Sequence, residues 1–153
     1  MNRLKSKPES NALLFSWLAV AFMAMFIFVM SARSGFEIDN NTGIFTVIKN
    51  ALSQAALAIA GHDVDVSPVG HFCEFFVFGL ALHNALTKTL GKRKAPAVAI
   101  IVLAILLASV YGATDEFHQL FVPGRSCDPA DWLVDTIAAT IGILSFNAMK
   151  KCR

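Results

Sequence analysis

The residues able to do chemistry are concentrated in one stretch, YGATDEFHQLFVPGRSCDPADWLVD, over 111–135. It sets Asp115, Glu116, His118, Gln119, Arg125, Asp128, Asp131 and Asp135 between two runs that are otherwise almost wholly apolar. A second, shorter set, VGHFCEFF, holds His71 and Glu74. Two histidines and several carboxylates can ligate a divalent ion such as Zn, and a metal with an open position activates water for hydrolysis. Without a metal, a His–carboxylate pair can move protons. On these grounds His71, Glu74, Asp115, His118 and Asp135 form the candidate catalytic set, and the first four of them the candidate metal ligands. Tyr111, Glu116, Gln119, Arg125 and Asp131 form the candidate binding set. The spacings are short and are not the HExxH pair of metalloproteases. A satisfied polar network that only locks helices together is the competing reading.

Helical spacing predicts how these groups converge. His71 and Glu74 are three residues apart and share a face. Tyr111, Asp115 and His118 share another at spacings of four and three. Asp131 and Asp135 lie one turn apart, and Ala138, Ala139 and Gly142 continue their stripe, which small residues mark as a face that meets another helix. Glu116 falls about 100° off the Asp115–His118 face and is expected at the rim. Pro123-Gly124 and Pro129 predict a tight return between the last two helices. That return sets Arg125 over the acids, where it pairs with them or grips a lipid phosphate or substrate carboxylate.

The elements that must position these residues are membrane helices. Of 153 residues 56% are hydrophobic and 16% charged, with mean hydropathy +0.59, far from a soluble domain. The net charge of +2 gives no footing for nucleic acid. One domain over 1–153 is expected, all-α, with four transmembrane helices over about 12–32, 69–86, 95–113 and 132–149. Ten of the thirteen Lys and Arg precede the first run, lie between the second and third, or follow the fourth, leaving Arg33, Lys49 and Arg125 for the other side. By the positive-inside rule both termini and the loop between the second and third runs are expected to be cytoplasmic, with the polar cluster facing outward. The first run is continuous and bulky over Leu13 to Met30, longer than a signal-peptide core, and reads as an uncleaved anchor. The loop after it carries Ile44, Val47, Ile48, Ala51, Leu52, Ala55 and Ile59 at helical spacing. It is read as an amphipathic helix over 42–60, lying on the outer membrane face or across the mouth of the bundle. Cys73, Cys127 and Cys152 show no metal spacing and read as free thiols, with a single Cys73–Cys127 bridge as the alternative. His83 and Asn84 are given no role, and Trp17 and Trp132 read as interfacial or packing aromatics.

The segments VGHFCEFFVFGLAL and YGATDEFHQLFVPGRSCDPADWLVDTIAATIG resemble the VanZ-like family of small bacterial membrane proteins. The likeness covers roughly 69–142. It falls on His71, Glu74, Tyr111, Asp115, Glu116, His118, Gln119, Pro123, Gly124, Arg125, Asp131 and Asp135. Phe75 departs from the family's usual Tyr, Gly112 from Ala and Ala138 from Gly, none of them ionisable. The resemblance implies a membrane protein that lowers susceptibility to lipoglycopeptides such as teicoplanin, whose target lies outside the membrane. Lipid, a lipid-linked wall precursor or the lipoglycopeptide itself would then be the partner at the outer leaflet. A metal-dependent enzyme acting on such a lipid and a purely structural or interaction module are the alternatives.

Overall fold

The computed structural model describes residues 6–33, 44–62 and 66–151. Among the described residues there are five α-helices, one short 3-10 turn and no strand: α1 Ser6–Ser31, α2 Ile44–Ala60, α3 Ser67–Leu90, the 3-10 turn Gly91–Arg93, α4 Ala97–Gln119 and α5 Pro129–Lys151. Four of them, α1, α3, α4 and α5, are long and apolar enough to cross a membrane. Each presents large apolar side chains outward, among them Phe15, Phe22 and Met25 on α1, Val98 and Leu106 on α4, and Leu133 and Ile137 on α5. Outward apolar side chains on helices of that length suit a bilayer, and the chain is a multi-pass membrane protein.

The helix ends follow from local chemistry. Pro68 occupies the first turn of α3, where a missing N–H costs nothing. Pro96, extended at φ −63° and ψ 141°, precedes α4 and cannot continue the preceding turn. Lys94 closes that connection in the left-handed region at φ 57°. Between α4 and α5, the Arg125 N–H donates to Val122 O at 3.1 Å across Pro123 and Gly124, and Gly124 sits at φ 77°. This is a type II turn, with proline preset at its first corner and glycine free of a Cβ clash at its second. Asp128 then caps α5: its Oδ1 accepts the Ala130 N–H at 2.8 Å.

Helix α3 is the hub. It packs on α1, α4 and α5, most extensively on α5. That last pairing depends on Gly79 and Gly142, where an added Cβ would stand 2.4 Å from Ala139 O and 2.3 Å from Phe76 O. The core is built from Phe75, Phe78, Leu82 and Ala85 of α3, Ile27 of α1, Ala104 and Ala108 of α4, and Ala138, Ala139 and Ile143 of α5. Aromatics of the central helix thus fill the space left by small residues on its neighbours. At one end of the bundle, polar ties are few: Lys88 Nζ donates to Ser16 Oγ at 2.6 Å and Trp17 Nε1 to Thr89 Oγ1 at 3.0 Å. The opposite end holds the buried acids Asp115, Glu116 and Asp135.

The four expected spans are all present, and every helix runs past its apolar run at one end or both, α1 beginning at Ser6. Helix α3 continues to Leu90, α4 carries Asp115, Glu116 and His118 within its last turns, and α5 starts at Pro129. The loop helix forms over Ile44–Ala60, residues 42 and 43 lying outside those described. Its Val47, Leu52 and Ile59 are exposed, so the bundle does not cover its apolar face.

Candidate functional site

Helix α4 turns one face to the bundle: Ile100, Ala104, Ala108, Gly112, Asp115, Glu116 and Gln119 are its buried residues. The centre line of that face runs through the small residues at intervals of four, and Asp115 and Glu116 straddle it at the C-terminal end. Glu116 is therefore buried, at 2% exposure, and not at the rim. The expected rim position rested on the Asp115–His118 face being the inward one. The Ala104-Ala108-Gly112 series, which continues to Glu116, shows where the helix is approached.

Asp115 has two donors on one carboxylate oxygen. Ser31 at the end of α1 donates its hydroxyl to Oδ2 at 2.5 Å, and Gln119 Nε2 donates to the same oxygen at 3.2 Å. Gln119 also reaches Glu116 Oε1 at 3.3 Å. The other oxygen of Glu116 accepts the backbone N–H of Asp128 at 2.8 Å, so the tight return after α4 fixes this carboxylate from outside its own helix. Ser31 was not among the expected site residues. A serine near the end of a membrane helix more often bonds its own preceding turn, as Ser16 does with Ala12 O at 2.7 Å, and nothing in its spacing distinguishes it.

Asp135 is provided with none. It is wholly buried, and neither carboxylate oxygen has a hydrogen-bond partner. His71 of α3 approaches it, Nδ1 to Oδ1 at 3.3 Å, without hydrogen-bond geometry, so that His71 Nδ1 is also left without such a partner. One ligand atom each from His71, Glu116 and Asp135 lie within 4.8 Å of one another, all three side chains buried. Glu74 is half-buried one turn along α3 and within electrostatic reach of His71, Asp115, Asp135 and Arg125. Asp131 is half-buried in the first turn of α5. The expected stripe of Asp135, Ala138, Ala139 and Gly142 is the buried face of α5.

Three expected members stand apart from this group. His118 turns toward α1, its ring 4.4 Å from that of Phe28, and among the described residues nothing joins it to a site carboxylate. Tyr111 donates its hydroxyl to Ala24 O of α1 at 2.6 Å and packs on the rings of Phe75 and Phe78. Arg125 donates from Nε to Arg33 O at 3.3 Å, and no ion pair joins it to a carboxylate among the described residues. Cys73 and Cys127 are free and exposed. His83, unassigned by the sequence, is buried at the far end of α3 against the edge of Phe146.

Chemically, the arrangement divides in two. The Ser31–Asp115–Gln119 group ties α1 to α4 and touches the other group through the Gln119–Glu116 hydrogen bond. The His71–Asp135–Glu116 group is open: an imidazole and two carboxylates face one another with acceptor capacity unspent, able to exchange a proton or to hold a cation. Four helices of bilayer length, an acidic end and the DEFHQLFVPGR run agree with what the comparisons find. No curated protein and no solved structure matches the chain. The family model described as VanZ/LLP1 matches residues 15–150, nearly its whole length, and the chain belongs to the VanZ/LLP1 family.

Proposed function

We propose that this protein lies in the bacterial cell membrane with both ends in the cytoplasm, and that it lowers susceptibility to lipoglycopeptides such as teicoplanin through its polar site at the outer leaflet. The orientation is supported by the ten-to-three division of Lys and Arg. The observation that carries the reading is the convergence of His71, Glu116 and Asp135 at the end of the bundle that this orientation turns outward. Arg125, half-buried beside that end, is suited to a lipid phosphate or a substrate carboxylate, because its charge is not consumed by an ion pair among the described residues. The test is expression in a susceptible Gram-positive host. Tolerance to teicoplanin is expected to rise more than tolerance to vancomycin, since the lipid tail of the former brings it to the membrane surface. Unchanged teicoplanin tolerance with expression confirmed contradicts the proposal.

A second reading is favoured by the buried Asp135 carboxylate, which has the His71 ring 3.3 Å away and no hydrogen bond on either oxygen. A network that served packing alone would satisfy this group, as it does Asp115. In this reading the protein is an enzyme acting on a lipid or a lipid-linked wall precursor, with Asp135 and His71 at its reacting centre and Glu74 at its mouth. Comparing extracted lipids from cells expressing wild type and His71→Ala by mass spectrometry tests it. A species that changes only with wild type supports an enzyme, and identical profiles oppose it.

A further inference from the structure

We infer that His71, Glu116 and Asp135 are three ligands of one resident divalent transition-metal ion of the Zn class. The inference deepens the second reading above and rests on the same site. It differs from the set suggested by spacing, in which His118, Glu74 and Asp115 stood beside His71. Of those, His118 packs on Phe28 and Asp115 is tied to Ser31 and Gln119 outside the group of three, whereas Glu116 and Asp135 come to His71 from two other helices.

Three observations carry it. The first is distance. Ligands about 2.0–2.2 Å from a tetrahedral ion lie about 3.3–3.6 Å from one another, and His71 Nδ1 and Asp135 Oδ1 are 3.3 Å apart. The three ligand atoms together fit within 4.8 Å, a span that small side-chain rotations close. The second is the unmet demand of Asp135, a wholly buried carboxylate with no hydrogen bond on either oxygen, whose one neighbour of opposite polarity is the His71 ring at 3.3 Å, itself without a hydrogen bond on Nδ1. A buried anion in that state is costly, and a cation between the groups satisfies both at once. The third is support from behind. Glu116 is held on one oxygen by the Asp128 N–H and on the other by Gln119 Nε2, the outer hydrogen bonds that fix a ligating carboxylate while leaving it a free lone pair. One imidazole with two carboxylates suits Zn or Mn better than Ca, and three protein ligands leave a position open to water or substrate.

The full-length protein, purified in detergent without chelator, is expected to carry about one equivalent of a transition metal by elemental analysis. Stripped with chelator and titrated with Co2+, it should develop the visible absorption of a low-coordinate site at one equivalent, displaced by Zn2+. Asp135→Asn and Glu116→Gln should each remove that absorption, and Gln119→Leu should weaken binding by about 10–100-fold. His83→Gln, at the far end of the bundle, should bind as wild type. If Asp135→Asn fails to accumulate, Glu116→Gln decides. Stripped wild type that stays folded and takes up neither Co2+, Zn2+ nor Mn2+ overturns the inference, as does a Glu116→Gln protein that binds as tightly as wild type. Because binding is read on purified protein, its failure is distinct from a failed tolerance assay in cells.

Discussion

Asp115 and Asp135 are the same residue type at the same end of one bundle, yet one is surrounded by donors and the other by none. In the proposed function that difference assigns Asp115 to packing and Asp135 to the site. Removing the hydroxyl that serves Asp115, by Ser31→Ala, should cost about 1.5–3 kcal/mol, the range for a hydrogen bond to a charged group, read as a lower melting temperature in detergent. His118→Ala should cost only about 0.5–1.5 kcal/mol, the worth of its ring contact with Phe28, and should leave teicoplanin tolerance in place. Full loss of tolerance at normal stability in His118→Ala would return that histidine to the site. Residue types and their depth were legible in the sequence, since every ionisable group of the site is in the two quoted segments. What spacing could not fix was which of two adjacent residues, Asp115 or Glu116, points where, because both lie within about 50° of the buried face. Ser31 was illegible for another reason: its partner is 84 residues away and its alternative is always at hand.

Helices α3 and α5 approach closely enough that two glycines are obligatory. Gly142→Ala would set a methyl 2.3 Å from Phe76 O, and Gly79→Ala one 2.4 Å from Ala139 O, both backbone atoms that cannot swing aside. Each should destabilise by about 1–3 kcal/mol or more and shift His71 relative to Asp135. Gly112→Ala is the control. Its methyl would meet Asp135 and Phe75 at 3.4 Å, a contact the packing accepts, and a helix interior gains up to about 1 kcal/mol from alanine in place of glycine. Melting temperatures of the three variants, expected to fall for the first two and hold or rise for the third, check the close crossing. At this scale the sequence was most informative: four apolar runs gave four spans, and Pro123-Gly124 gave its turn. The helix ends were less so. Polar residues such as Asp115 and Glu116 end a hydropathy signal but not a helix whose neighbours supply their hydrogen bonds. The loop helix was legible from its period, whereas its place relative to the membrane is a matter of what covers Val47, Leu52 and Ile59.

For the whole molecule, orientation decides whether the site faces the wall. On a background lacking the native cysteines, a membrane-impermeant thiol reagent applied to intact cells should label a cysteine returned at position 127 and spare Lys92→Cys, both positions being exposed. Labelling of position 92 from outside would invert the topology and turn the site toward the cytoplasm. The proposed orientation rests on charge distribution alone, in which all three basic segments agree. The function was less legible, since it depends on which side chains three separate helices bring together. The most direct test of the account is therefore teicoplanin susceptibility in one host expressing equal amounts of wild type, Glu116→Gln or Asp135→Asn. The account predicts that wild type raises tolerance and that both variants, folded and present at the same level, do not. Variants as protective as wild type would show that the His71–Glu116–Asp135 group holds the helices together and does nothing else.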